Sequence, residues 1–311
     1  MTDSVARRLA ETIPPERVLR NAPLAPYTTF KTGGPADWLV VAEGASDISA
    51  ALAAAREHGL PVAILGGGSN VLVADGGVRG LVIRMRGGEV RIVGEGIVRA
   101  DAGLTINGLV RWTINRGLAG LEAWAGTPGT VGGAIHGNAH FKGRLMGELV
   151  ERVHVIDHAA HVVEILAAQM EFGYDRSRLQ RTREILLSAD FRVAPGDPAT
   201  LRAVARESLA FRKRTQPLES ASAGCIFQNP NPAVDRVPDG IPPSAGALVD
   251  RAGLKGAREG RARVSPTHGN FIVNEGGASA AEIRRLIERC REGVRDRFGV
   301  ELRDEIVYLG F

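Results

Sequence analysis

The spacing of apolar and polar residues divides the chain into short strands and amphipathic helices. Apolar β-type runs predict strands over 37–41, 62–65, 78–84, 89–93, 97–102, 149–156, 162–166, 185–192 and 301–309. Helical periodicity predicts helices over 4–12, 46–58, 105–116, 197–214, 245–252 and 279–298. Strands and helices are interspersed without an internal repeat, so the pattern predicts an α+β protein.

Polar residues mark where four of these helices begin. Ser46, Thr105 and Asp197 can each accept a hydrogen bond from the free backbone amides of a first helical turn. Ser279 with Glu282 three residues later forms a capping box. These signals set the predicted helix starts.

Composition narrows the class of protein. Hydrophobic residues make up 44% and charged residues 24% of 311 residues, which is typical of a folded chain of two or three domains. The net charge of +4 comes without a dense basic run, so we expect no nucleic-acid partner. No apolar run approaches the length of a membrane span, and the start of the chain lacks the apolar core of a signal peptide.

Cysteine and histidine usage excludes two further classes. Two cysteines, Cys225 and Cys290, cannot build a disulfide scaffold or a four-cysteine zinc site, so a cytoplasmic location is predicted. The histidines lack metal-ligand spacing, so no metal site is predicted. His154, His158 and His161 lie in or beside predicted strands and are interpreted as surface or turn residues.

Clustered glycine is the strongest chemical signal among the 39 glycines. Successive glycines let several backbone N–H groups point at one anion, which suits phosphate oxygens. Two segments have this character: Leu65, Gly66, Gly67, Gly68, Ser69 and Asn70, and then Gly126, Thr127, Pro128, Gly129, Thr130, Gly132, Gly133 and Ala134. Neither matches a Rossmann or P-loop motif. The pair fits a cofactor with two phosphates better than a mononucleotide, although tight turns and a loop between domains explain them equally simply.

Cys225 stands in a polar setting that is unusual for a core cysteine, after Gly224 and before Gln228 and Asn229. A thiol is mostly protonated at neutral pH and can donate a proton. The alternative is a small buried hydrophobic residue, which is how we interpret Cys290 in its Arg- and Glu-rich helix.

Taken in order, the motifs resemble the UDP-N-acetylenolpyruvoylglucosamine reductase (MurB) family over nearly the whole chain. They are TTFKTGGPA (28–36), GGGSNVL (66–72), PGTVGGA (128–134), FGY (172–174), AGCIFQNP (223–230), AGALVDRAGLKG (245–256), HGNFIVN (268–274) and the final Glu305 strand. Few residues separate Tyr174 from the strand at Ile185, so the chain resembles the shorter type without a tyrosine-bearing loop.

The resemblance implies a fold and its ligands. It implies a FAD-binding unit of the vanillyl-alcohol-oxidase (PCMH) type in two subdomains, 1–70 joined by 301–311 and then 71–215, followed by a substrate-binding α+β domain over 216–300. It implies FAD on the two glycine segments, with Arg212 as a flavin-phosphate candidate. NADPH and a small-molecule UDP-sugar are the implied partners, and the oligomeric state stays open.

The resemblance also implies a reaction and its residues. NADPH would reduce FAD, and hydride from flavin N5 would reduce the enolpyruvyl group of UDP-N-acetylglucosamine-enolpyruvate to give UDP-N-acetylmuramate. Cys225 matches the family's proton donor, and Glu305 matches a glutamate that acts at the developing carbanion; the alternative for Glu305 is an outward position on an edge strand. Tyr174, Asn229 and Lys255 match substrate contacts.

Two positions depart from the family pattern. The family has Tyr-Arg-x-Ser where this chain has Tyr174, Asp175, Arg176 and Ser177. An aspartate there would oppose the negative charge that develops on the substrate, so we predict that Arg176 takes the catalytic arginine's role through a local slip. Gln228 replaces a frequent lysine. A flavoprotein oxidase of other specificity and a non-catalytic FAD-binding paralogue, which Asp175 favours, remain as alternatives.

Overall fold

The computed structural model describes residues 2–157 and 159–311. Its described residues form eight helices of α type: α1 (Thr2–Ala10), α2 (Ala45–Glu57), α3 (Ile106–Asn115), α4 (Val131–His136), α5 (Leu179–Thr182), α6 (Pro198–Thr215), α7 (Ala245–Arg251) and α8 (Ala280–Phe298). The sequence predicts six of them. It misses α5, which is a single turn, and α4, whose glycines are poor helix formers. No helix in this described part is long and apolar enough to cross a membrane.

The described strands are shorter and more numerous than predicted. They are β1 (Val18–Pro23), β2 (Pro35–Ala42), β3 (Val62–Leu65), β4 (Val71–Val73), β5 (Val78–Met85), β6 (Val90–Gly94), β7 (Ile97–Asp101), β8 (Leu118–Ala119), β9 (His140–Phe141), β10 (Arg144–Leu145), β11 (Val150–Ile156), β12 (Val162–Leu166), β13 (Ile185–Arg192), β14 (Ala194–Pro195), β15 (Arg258–Glu259), β16 (Ala262–Val264), β17 (Ile272–Asn274) and β18 (Val307–Leu309).

The chain divides into two compact units that are interleaved along the sequence. Unit 1 holds the residues up to Asn21, then Asp37–Gly67 and Gly80–Phe211. Unit 2 holds Ala22–Ala36, Gly68–Arg79 and Arg212–Phe311. The three-part division with boundaries at 70, 215 and 300 stays a prediction.

Among the described residues, unit 1 contains two larger sheets and two small ones of two strands each, β8-β14 and β9-β10. An antiparallel sheet has the strand order β12-β11-β13-β7-β6, and a second sheet, most of it in unit 1, has the order β1-β2-β5-β3 with β3 parallel to β5. Helix α3 begins as predicted, because Thr105 accepts a hydrogen bond from the Gly108 amide. A continuous core includes the fully buried Trp124 and Phe191.

Unit 2 is built around α8. Ser279 and Glu282 form the predicted capping box at its start, and Gly299 ends it in a left-handed conformation. The core of this unit joins α7, α8, the antiparallel sheet β15-β16-β17 and the buried Phe30. The last strand, β18, runs parallel to β4, so the end of the chain pairs with the strand that follows the first glycine segment.

Three local predictions are wrong. Ser46 does not cap α2: Gly44 holds that position, and Asp47 in the first turn accepts a hydrogen bond from the Glu43 amide instead. Strand β3 is not buried as its apolar run suggests, because it lies at the edge of its sheet and Ile64 is 38% exposed. The final strand covers Val307–Leu309 rather than 301–309.

Candidate active site

The two glycine segments touch each other inside unit 1. A Cβ on Gly66 would lie 2.6 Å from the Thr130 hydroxyl, and a Cβ on Gly67 would lie 2.6 Å from the Cα of Gly129. Both distances are too short for any side chain. Glycine is therefore required at 66 and 67 for this contact, while Gly67 and Gly133 stay exposed beside it. Bare, accessible backbone of this kind fits the phosphates of a dinucleotide cofactor.

The second glycine segment folds back into a helix. Thr130 caps α4 by accepting a hydrogen bond from the Gly133 amide at 3.3 Å. The Val131 and Gly132 amides each donate to backbone carbonyls, of Leu104 and Ala102, at 2.8 Å. These bonds fix the segment as a rigid element of unit 1.

An open cavity of about 590 Å³ lies beside Gly126 in unit 1. Side chains of α3 and α6 line it, among them Asn107, Arg111 and Arg202. Asn107 also accepts a hydrogen bond from the Gly126 amide at 2.7 Å. Two arginines beside a glycine segment suit an anionic cofactor. Sequence patterns did not single them out because isolated arginines on helices are common.

Cys225 sits in an extended segment of unit 2. It pairs with Phe271 in an antiparallel bridge, and the next two side chains, Ile226 and Phe227, are buried. The buried Asn270 accepts a hydrogen bond from the Phe227 amide and donates one to its carbonyl, at 2.9 and 2.7 Å. Cys225 itself is only half-buried. Its backbone is therefore held firmly while the thiol keeps some access.

Glu305 is held beside the same segment. Its amide donates to the carbonyl of Ile226, the residue after Cys225, at 2.8 Å. On its other side the Asn70 side chain donates to the Glu305 carbonyl at 3.0 Å. Unit 2 thus brings the backbone of Glu305 next to the segment that carries Cys225, although the two lie far apart in sequence.

Arg212 is also in unit 2, and it is only 6% exposed. Burial lowers the pKa of its guanidinium to about 10, and the negative charge that Cys225 can carry acts in the opposite direction. A negative charge on Cys225 would therefore favour the charged form of Arg212. The predicted flavin-phosphate role of Arg212 stays a prediction.

The other cysteine is chemically inert in this fold. Cys290 lies in α8, is 1% exposed, and burial raises its pKa to about 12. Its interpretation as a structural residue agrees with this burial.

Asn229 and Lys255, the candidate substrate-binding residues of unit 2, each contact a residue of the same unit. Asn229 is exposed, and its side-chain oxygen accepts a hydrogen bond from the Ala245 amide at the start of α7, at 3.1 Å. Lys255 forms an ion pair with Asp250 at 2.9 Å. Burial, with help from the charge of Lys255, lowers the pKa of His268. Their substrate roles stay predictions.

The Tyr174–Ser177 segment forms a tight turn in unit 1. Backbone hydrogen bonds join Gly173 and Arg176 in both directions, at 3.0 and 3.2 Å. Asp175, at the family's arginine position, lies 3.1 Å from His140 Nδ1, while Arg176 is exposed. Tyr174 is 42% exposed, with its ring against that of His140. His140 carries no motif, so the sequence did not reveal it.

His154 and His161, two of the histidines predicted to lie in or beside strands, differ in their exposure to solvent. His154 is partly buried, with Nε2 3.6 Å from Asp190, whereas His161 is exposed. His158 lies outside the described residues.

Comparison with known proteins defines the class. A family model described as "FAD binding domain" matches residues 36–166, and one described as "UDP-N-acetylenolpyruvoylglucosamine reductase, C-terminal domain" matches residues 216–309. The fold and the glycine segments thus define an FAD-dependent oxidoreductase with a PCMH-type flavin-binding unit. This confirms the predicted α+β fold and the predicted FAD cofactor.

Relatives of known identity define the family. The chain is 38% identical to the UDP-N-acetylenolpyruvoylglucosamine reductase of Heliobacterium modesticaldum over 94% of this chain and 90% of the relative. It is 36% identical to the Bacillus subtilis reductase over 94% of each chain. The crystal structure of the Thermus caldophilus enzyme (MurB) is 34% identical, with a TM-score of 0.78, and the match covers 94% of this chain and 99% of that one. The chain belongs to the UDP-N-acetylenolpyruvoylglucosamine reductase family of peptidoglycan synthesis, as the motifs predict.

Proposed function

We propose that this protein uses NADPH to reduce the enolpyruvyl group of UDP-N-acetylglucosamine-enolpyruvate, forming UDP-N-acetylmuramate. One observation carries the proposal beyond family membership. The Glu305 amide donates to the carbonyl of Ile226, the residue after Cys225, at 2.8 Å, so unit 2 joins the two backbone segments that carry the thiol and the carboxylate. Saturating a carbon–carbon double bond requires a proton donor and a group that manages the developing charge, and these two residues suit those tasks.

The two glycine segments, whose contact residues lie in unit 1, would hold FAD. Their close contact at Gly66, Gly67 and Gly129 leaves backbone without side chains, which is the surface that a pyrophosphate needs. FAD held there would supply the hydride chemistry, through flavin N5, that links oxidation of NADPH to reduction of the methylene carbon of the enolpyruvyl group. Ser69 and Asn70 complete the first segment, although the Asn70 side chain also serves Glu305.

Cys225 would supply the proton. Hydride addition at the methylene carbon leaves a pair of electrons on the carbon that bears the carboxylate, and the thiol S–H protonates that carbon. The product thiolate is then balanced by its attraction to the buried Arg212 cation, until a proton from solvent restores the thiol.

Glu305 would act beside Cys225 at the carbon that receives the proton, and Tyr174, Asn229 and Lys255 would bind the UDP-sugar. The resemblance places the remaining cationic role at the position of Asp175, and the predicted local slip would give that role to Arg176. NADPH and the UDP-sugar are small-molecule partners, and a cytoplasmic location, predicted from the cysteine count, is part of the same proposal.

The test is turnover by the purified yellow protein. Without oxygen, NADPH should be consumed beyond the one equivalent that reduces the bound flavin only when UDP-N-acetylglucosamine-enolpyruvate is present, and mass spectrometry should find a product with two added hydrogen atoms. Glu305→Gln should slow turnover by about 100-fold or more, whereas Glu301→Gln, at an exposed position, should not. No product from the wild-type protein would refute the proposal.

A second function has one observation in its favour. Asp175 stands where the family has arginine, which suits a non-catalytic flavin-binding paralogue. Under that alternative the protein binds FAD and is reduced by NADPH, but it forms no UDP-N-acetylmuramate.

A further inference from the structure

His268 contacts two segments of unit 2 that carry candidate site residues. Its ring packs edge-on against Phe271, with ring centroids 4.9 Å apart, and Phe271 pairs with Cys225 in an antiparallel bridge. A Cβ on Gly246 would lie 3.1 Å from His268 Cε1. Gly246 belongs to α7, whose first amide donates to the Asn229 side chain. The imidazole therefore lies against both the partner segment of the proposed proton donor and the helix that a candidate substrate residue holds.

Hydrogen bonds fix the backbone of the loop that carries His268. Ser265 is fully buried, and its hydroxyl oxygen accepts from the His268 amide at 3.4 Å. The His268 carbonyl accepts from the Phe271 amide at 3.0 Å, and the Ser265 amide donates to the Phe271 carbonyl at 2.8 Å. A Cβ on Gly269 would lie 2.4 Å from the Gly246 carbonyl oxygen, so the loop and α7 meet through bare backbone. The fold therefore sets the position of the ring.

The same loop determines the protonation state of His268. The Asn270 amide donates to Nδ1 at 3.2 Å, which requires a lone pair on that nitrogen. A neutral ring that accepts at Nδ1 carries its proton on Nε2. Burial, and then the charge of Lys255, lower the pKa of His268, which favours the same neutral form. At neutral pH, Nε2 is therefore a hydrogen-bond donor.

The Nε2 atom is accessible to a ligand. Among the described residues no group bonds to it, and it is open to solvent in a side chain that is otherwise half-buried. Lys255 is near enough for its charge to act on the ring, and its ammonium group pairs with Asp250 at 2.9 Å. A neutral N–H and an ammonium group thus serve the same part of unit 2. Phosphate oxygens accept hydrogen bonds from both kinds of donor.

The geometry points to His268 as a further substrate-binding residue, whose Nε2–H donates to a phosphate oxygen of the UDP group beside Lys255. The contacts with Gly246 and Phe271 hold the ring in place and leave this N–H for the ligand. A neutral donor adds a hydrogen bond without adding a second positive charge to the site. This inference rests on the proposed function and names a residue that recognises the diphosphate of its substrate.

The test measures binding of UDP alone to the oxidised, FAD-loaded protein by isothermal titration calorimetry. His268→Phe keeps a ring but removes the N–H, so the Kd for UDP should rise by about 10-fold, as expected for one hydrogen bond to a charged group. His268→Gln should recover part of this loss, because its amide can donate. His161→Phe changes an exposed histidine of unit 1 in the same way and is the matched control, with an unchanged Kd. Flavin content and melting temperature establish that each variant is folded.

Steady-state kinetics give an independent readout. His268→Phe should raise the KM for UDP-N-acetylglucosamine-enolpyruvate by a factor similar to the rise in Kd, with kcat near the wild-type value. Failure of the wild-type protein to form product, while UDP binds and His268→Phe weakens its binding, would overturn the proposed function alone. Absence of UDP binding by the wild-type protein, or an equal Kd in wild type and His268→Phe, would overturn this inference. A loss in His268→Gln as large as that in His268→Phe would also overturn it.

Discussion

Asn70 Nδ2 donates a hydrogen bond to the carbonyl oxygen of Glu305 at 3.0 Å, across 235 positions of sequence. The Asn70 carbonyl in turn accepts from the Val307 amide at 2.9 Å. Asn70 therefore forms hydrogen bonds with the proposed catalytic glutamate and with Val307, two residues after it. A residue that ends a glycine motif consequently has a second task, which is to position the end of the chain.

The two hydrogen bonds of Asn70 predict the effect of Asn70→Ala. If the side chain mainly positions Glu305, flavin reoxidation should slow several-fold while FAD affinity stays near the wild-type value. Removing one hydrogen bond should also lower the free energy of unfolding by about 1 kcal/mol. A large loss of FAD affinity with normal reoxidation of the remaining holoenzyme would show that Asn70 serves the cofactor instead.

Cys225 should be needed for only one half-reaction. Cys225→Ala removes the proposed proton donor, so reoxidation by the enolpyruvyl substrate should slow by about 10²- to 10⁴-fold, with reduction by NADPH unchanged. Cys225→Ser should retain part of the rate, because a hydroxyl can also donate. Stopped-flow absorbance measures both steps.

Cys290→Ala is the matched control, since this thiol is buried and its pKa is raised to about 12. It should lower stability without slowing either half-reaction. Equal rates in Cys225→Ala and wild-type protein would remove Cys225 from the mechanism.

Gly67 should be intolerant of any side chain. Gly67→Ala places a Cβ 2.6 Å from the Gly129 Cα, so the two glycine segments must separate, at a cost of about 1–3 kcal/mol. FAD affinity, measured by quenching of flavin fluorescence, should fall together with the melting temperature.

Gly94→Ala serves as the control, because its nearest neighbour would lie 3.9 Å away. It should leave FAD affinity unchanged. Normal FAD binding by Gly67→Ala would contradict a role for this contact in forming the cofactor site.

The ion pair between Arg99 and the buried Asp190 should make the free energy of unfolding depend on pH in the acid range. Burial disfavours the Asp190 carboxylate, but the two hydrogen bonds from Arg99, at 2.6 and 2.8 Å, and the neighbouring His154 outweigh it and lower the pKa. Because the folded pKa lies below the unfolded value of about 4, the contribution is present at neutral pH. It is lost as pH falls through the folded pKa.

Asp190→Asn should therefore lower the free energy of unfolding by about 2 kcal/mol at neutral pH, and the difference from wild type should shrink in acid. Urea unfolding at a series of pH values measures this. Glu207→Gln, at a side chain that is 75% exposed, should show no such effect. A difference that grows toward acid would contradict the assigned direction of the pKa.

The starts of most helices could be predicted from the sequence, because a capping side chain bonds to an amide only a few residues later. Thr105, Asp197 and Ser279 each accept the amide three residues later in the structure. The same approach failed for Ser46, because α2 begins at Ala45 with Gly44 at the cap position and no side-chain hydrogen bond to its first amides. It also missed α4, where tertiary bonds from Val131 and Gly132 compensate for glycine's low propensity.

The arrangement of the site could not be predicted from the sequence, because it depends on hydrogen bonds between distant segments. The motifs identified Cys225 and Glu305, but their juxtaposition depends on backbone bonds between segments far apart in sequence. His140 had no motif to reveal it. The available signal was indirect. Asp175 stands where the family has arginine, and its negative charge needs a partner, but the sequence does not show that this partner is His140.

The most direct test of the central claim is a two-step stopped-flow experiment on wild-type protein without oxygen. NADPH added first should bleach the flavin band, and UDP-N-acetylglucosamine-enolpyruvate added second should restore it. This result would establish both half-reactions and show that Asp175 is compatible with catalysis. Bleaching without recovery would contradict the account and leave a flavoprotein that accepts electrons from NADPH but does not reduce the enolpyruvyl sugar.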